Sequence, residues 1–199
     1  MIAAMITLLV GLVLFLGVHS VRIVAEDWRT RVIATRGALA WKGLYGLLAV
    51  AGFVLICIGF GQARQQPVVL WSPPRWTHDL AALLTLVAFI LVTAAYVPAN
   101  AIKVRVQEPM ILGVKCWALG HLCANATLAD VVLFGSFLAW SVFDFRAAKQ
   151  RRRAGAAPSI APARRGRSAI TVVVGVLAWA LFAFHLHGWL IGVVPISLH

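Results

Sequence analysis

Long apolar runs dominate the chain, and short polar clusters interrupt them. Residues 2–24, 43–60, 80–97 and 170–194 are each long enough to cross a bilayer, which takes about 20 predominantly apolar residues in a helix. A fifth stretch, residues 110–142, reads as one long helix or two short ones. Local signals favour two. Asn125-Ala126-Thr127 interrupts the stretch, and Thr127-Leu128-Ala129-Asp130 has the form of an N-cap with an acid three residues on. Helix four is therefore expected over 109–124, with Pro109 in its first turn, and helix five over 128–143.

Charge tests this choice, because cytoplasmic loops collect Lys and Arg. With six helices, the first, third and fifth loops carry 15 Lys and Arg and the opposite side only Arg64 and Arg75; Lys115 lies inside helix four. With five helices the split is 10 against 7, which is no asymmetry. The sequence therefore predicts an all-α integral membrane bundle of six transmembrane helices, with both termini outside. Helices four and five form a short hairpin. At about 1.5 Å per residue, limbs of this length reach roughly 23 Å, less than a hydrocarbon core of about 30 Å. A hairpin that turns below the surface lets Asn125 and Asp130 find partners inside the protein. Three regions follow: a bundle over residues 1–145, a basic linker over 146–168, and a sixth spanning helix within 169–199.

Composition agrees. The chain has 199 residues, 62% of them hydrophobic, with a mean hydropathy of +0.91. Its partner is the lipid bilayer. The formal net charge is +12, but the cations lie between apolar runs, where they set topology against an anionic leaflet. That placement argues against a nucleic-acid partner. No Lys or Arg precedes the first run, and no small-residue cleavage site follows it, so the run is expected to stay as helix one. Residues 25–39 mix Glu26, Asp27, Arg29, Arg31 and Arg36 with Trp28, Val32 and Ile33, the pattern of an amphipathic helix on the inner surface. Residues 146–167, rich in Arg, Ala and Pro, read as a flexible linker.

Candidate chemistry rests on histidine. His19 closes the first run, His78 leads into the third helix, His121 lies in the fourth, and His185 and His187 lie in the sixth. An ionisable group in hydrocarbon is expensive without a partner, and imidazole is a common ligand of metals and haem iron. His185 and His187 are two residues apart, so a helix points them to different faces; His187 is the preferred inward one. The ordinary alternative is a histidine that donates one hydrogen bond to a backbone carbonyl, to Ser20 or to Asn125. Cys57, Cys116 and Cys123 all fall in apolar runs and form no C-x-x-C pair. No G-x-S-x-G, H-E-x-x-H or Walker pattern is present, which leaves hydrolase and nucleotide chemistry without support.

Several ordered motifs carry a resemblance. They are Gly17-Val18-His19-Ser20, Trp41-Lys42-Gly43-Leu44-Tyr45, Pro67-Val68-Val69-Leu70-Trp71-Ser72-Pro73-Pro74, Ala94-Ala95-Tyr96-Val97-Pro98, and Pro109-Met110-Ile111-Leu112-Gly113-Val114-Lys115 followed by Ala118-Leu119-Gly120-His121-Leu122 and Asn125. Together with His187-Gly188-Trp189, they resemble the NnrU family of bacterial membrane proteins. The resemblance implies a multi-pass protein of the bacterial inner membrane, with periplasmic termini and a link to nitric oxide and nitrite metabolism in denitrification. The family is also similar to the haem-dependent 15-cis-zeta-carotene isomerase. The isomerase's proposed axial histidines match His19 and His121, which implies haem b held by that pair. The isomerase has a cysteine three residues before its second histidine; here that position is Ala118.

Gly17, Gly113 and Gly120 would let a flat macrocycle approach, and Trp117 would pack beside His121. Depth sets up a rival. His19 lies about one turn from the inner surface. His121 meets it if the hairpin is re-entrant, with Lys115 at the inner boundary. If the hairpin spans fully, His121 lies nearer His78, His185 and His187, and His187 becomes the rival ligand. Three functions remain open: a haem b protein of nitrogen-oxide metabolism with a membrane redox protein as partner, a haem-dependent cis-trans isomerase of a polyene, and a cofactor-free assembly factor for a membrane reductase.

Overall fold

The computed structural model describes residues 1–195, and His199 lies outside them. Among the described residues the regular structure is helical apart from one isolated bridge between Val69 and Thr127. Five segments are long and apolar enough to cross a membrane: α1 (Ile2–Val24), α3 (Ala38–Ala63), α4 (Trp76–Tyr96), α7 (Leu128–Arg153) and the C-terminal segment Arg167–Ile191. That last segment is α8 (Arg167–Leu181), a π-helical turn (Phe182–Leu186) and α9 (His187–Ile191). The shorter helices are α2 (Glu26–Arg36), α5 (Ala101–Val106) and α6 (Pro109–Ala124). The chain is thus an all-α membrane protein.

The expected break at 125–127 is present, and so is the capping box. Asp130 Oδ2 accepts from the Thr127 amide at 3.0 Å and from its hydroxyl at 2.6 Å, while Thr127 Oγ1 accepts from the Asp130 amide at 3.2 Å. Of the two hairpin limbs only α6 is short, at 16 residues; α7 has 26 and continues well past the expected end at 143. The reason is local. Residues 146–153 are Arg, Ala, Lys and Gln, all good helix formers, and cations in a last turn favour the helix dipole. The first third of the expected linker is therefore helix.

The chain divides into two compact units, Met1–Trp71 with Ala126–Asp144, and Ser72–Asn125 with the chain from Phe145 on. In the first unit α1 and α3 lie backbone to backbone. A Cβ on Gly11 would lie 2.6 Å from Ile56 N, one on Gly52 2.6 Å from Phe15 N, and one on Gly59 would meet Leu8 N. Small residues permit this approach, which is how helices associate where lipid removes any hydrophobic drive. Gly37, at φ 84°, turns the chain from α2 into α3. Arg22 and Arg29 flank Glu26 at 3.8 and 3.0 Å, and Trp28 meets Trp41 edge-on at 5.7 Å. These contacts hold α2 to its neighbours. Two aromatic pairs seat the first part of α7: Phe134 with Phe60 at 6.1 Å and Phe137 with Phe15 at 5.7 Å.

In the second unit α4 is central and packs α6 and α8. A Cβ on Gly113 would lie 2.9 Å from Val92 Cγ2, and one on Gly175 2.8 Å from Ile90 Cα. Trp179 Nε1 donates to Thr85 Oγ1 at 3.1 Å. Asn100 is fully buried and fully used: its amide donates to the carbonyls of Ala94 and Val97, and its oxygen caps α5 at Lys103 N.

Candidate haem-ligand histidines

His19 continues the buried stripe of α1. Ala4, Leu8 and Leu12 face α3, and Phe15 and His19 follow at helical spacing on the same side. The His19 Nδ1 lies 2.6 Å from the Phe15 carbonyl. A carbonyl oxygen only accepts, so Nδ1 carries a proton, and in the neutral tautomer Nε2 is the nitrogen with the free lone pair. Three rings surround it. Phe15 is 4.3 Å away, Tyr45 of α3 stands edge-on at 5.2 Å, and Trp140 of α7 stands perpendicular at 6.1 Å. The Trp140 indole N–H is buried and has no hydrogen-bond partner among the described residues. Natural proteins rarely leave such a donor unpaired.

His121 repeats the device on α6. Its Nδ1 lies 2.9 Å from the Trp117 carbonyl, four residues back, and the Trp117 ring packs at 5.2 Å. The carbonyl of His121 accepts from Asn125 Nδ2 at 2.8 Å, so the polar residue at the end of the helix is satisfied locally. Lys115, on the same helix, places its ammonium 4.0 Å from the centre of the Phe145 ring. A desolvated cation over an aromatic face is attracted by the ring quadrupole.

The remaining histidines differ. His187 Nδ1 lies 2.6 Å from the Val193 carbonyl, and its ring meets Phe182 edge-on at 5.8 Å. His78, in the first turn of α4, and His185, in the π-helical turn, are exposed. No group of three or more His, Cys, Asp or Glu among the described residues is arranged to hold a metal ion.

The glycines are a correction. Gly113 and Gly120 do not offer space to a macrocycle, because α4 occupies it. A Cβ on Gly120 would lie 3.2 Å from Ala81 O and 3.3 Å from Leu84 Cβ. Gly17 alone of the three is open, with nothing within 4 Å. The expected neighbour Trp117 is in place beside His121. Tyr45 and Trp140 were not singled out as site residues from the sequence. An aromatic residue in a membrane helix reads as packing, and only the fold brings these two to His19.

Compared with known families, the chain matches the NnrU protein family over residues 7–195, almost its whole length. The chain is a member of the NnrU family. Neither the curated proteins nor the solved structures contain a match to this NnrU chain.

Proposed function

We propose that this NnrU protein binds haem b in the bacterial inner membrane and serves nitrogen-oxide metabolism, with His19 and His121 as the imidazole ligands. The observation that carries the reading is the aromatic shell around His19 with its buried, unpartnered Trp140 N–H. The carbonyl bond at Nδ1 is one that a structural histidine also makes, and in the neutral tautomer it leaves Nε2 as a lone-pair donor. The unpaired Trp140 N–H beside it is a donor that a bound group with an acceptor oxygen would satisfy. His121 carries the same carbonyl bond at the same spacing.

The residues have distinct parts. Phe15 and Trp117 orient the two imidazoles through their carbonyls. Phe15, Tyr45 and Trp140 exclude water around His19, and Trp140 offers a hydrogen bond. When bound, haem would supply a redox-active iron able to bind nitric oxide, with His19 and His121 as the side chains that would hold it. The topology in this reading puts both termini in the periplasm.

The test is the absorption spectrum of detergent-purified protein from haem-replete cells. We expect a Soret band that shifts on reduction and on adding nitric oxide. His19→Ala and His121→Ala should each lower the haem content to about a tenth or less. His185→Ala, at an exposed site, should retain it. A colourless wild-type preparation overturns the reading, and loss of haem in His187→Ala but not in His121→Ala would move the second ligand to His187.

A further inference from the structure

The second unit gathers positive charge at one end. Three contacts between distant parts of the chain build that end. Arg152 pairs with Glu108 at 2.7 Å, tying the end of α7 to the start of α6. The Arg164 amide donates to Ala99 O at 2.9 Å, and the Ala101 amide donates to Ser168 Oγ at 2.9 Å, tying the start of α8 to α5. The exposed cations Arg105, Lys149, Arg153, Arg164, Arg165 and Arg167 sit on these joined segments. Within this unit the carboxylates are Glu108, which Arg152 holds, and Asp79, at the opposite end of α4. Apolar side chains accompany the charge: α5 alternates Ile102, Val104 and Val106 with Lys103 and Arg105, and Val104 is 39% exposed. Cations beside exposed apolar groups at the ends of spanning helices match the boundary between phosphate headgroups and acyl chains.

We propose that this face is a binding site for the phosphodiester headgroup of anionic phospholipid. Topology alone needs only that cations lie on one side during insertion. It does not need Arg164 and Ser168 to be hydrogen-bonded back onto the α4–α5 connection. The folded arrangement converts a charge bias into a local site. Arg supplies planar pairs of donors that suit phosphate oxygens.

The full chain, purified in a neutral detergent, tests this by native mass spectrometry and thermal unfolding with phosphatidylglycerol or phosphatidylcholine added. Wild type should retain phosphatidylglycerol and gain stability from it, while phosphatidylcholine gives neither. The variant Arg164→Ala/Arg165→Ala/Arg167→Ala should lose about tenfold or more in retention. The Lys triple variant, which keeps charge without the paired donors, should fall between. Far-UV circular dichroism checks that each variant is folded. If the triple variant is not, Arg153→Ala and Arg165→Ala singly should each weaken retention severalfold. Equal retention of the two lipids by wild type overturns the proposal, as does full retention by the Ala variants. So does stabilisation by inorganic phosphate or an oligonucleotide equal to that by the lipid.

Discussion

At His19 one hydrogen bond meets an aromatic shell: Nδ1 donates to the Phe15 carbonyl, and the ring packs against Tyr45 and Trp140. Trp140 makes this testable without measuring activity. A buried donor left without a partner costs about 1–3 kcal/mol. Trp140→Phe removes that cost in the haem-free protein but deletes a hydrogen bond in the loaded one. Thermal unfolding should therefore show the variant gaining relative to wild type in the haem-free form and losing in the loaded form. A difference of about 2–4 °C per kcal/mol is the expected scale for a chain of this size. The same shift in both forms would mean that the indole only packs. The sequence displayed His19 and His121 because polar residues stand out in apolar runs. It could not display Tyr45 or Trp140, whose meaning comes from distant segments meeting.

At the scale of elements, the contact between α1 and α3 depends on three glycines whose absent side chains are filled by backbone. Gly59→Val would push against Leu8 and Ala4 and should cost about 1–3 kcal/mol or more, as overpacking does. Gly43→Ala, at a position with nothing within 4 Å, should leave the unfolding midpoint unchanged or slightly higher. Equal midpoints for the two variants would deny the close packing. Helix existence was legible from apolar runs, and the α6–α7 break from Thr127 and Asp130. The end of α7 was not legible, because hydropathy falls at Asp144 while helix propensity continues through Arg153. The glycines were legible as small residues but not by partner: Gly113 and Gly120 read as free space, and α4 turned out to fill it.

For the whole molecule, the charge distribution carries the topology in our reading. Reporter domains fused within residues 154–163 should be active only if folded in the cytoplasm, and a reporter at the N-terminus only if exported. The opposite pattern would invert every depth assigned to the histidines. Removing Arg151, Arg152 and Arg153 should weaken this asymmetry without inverting it, since the first loop keeps five cations of its own.

The connection between α3 and α4 is not a slack tether: Leu70 donates to Ala126 at 2.8 Å, and Leu128 donates to Val68 at 2.9 Å. These two amides should exchange with deuterium slowly, although neither arises from a helix interior. An epitope inserted between Val68 and Leu70 would dislodge the start of α7, and with it the ring of Trp140. The same insert near residue 158 would meet a mostly exposed stretch outside the helices. Tags for this protein belong in the second place.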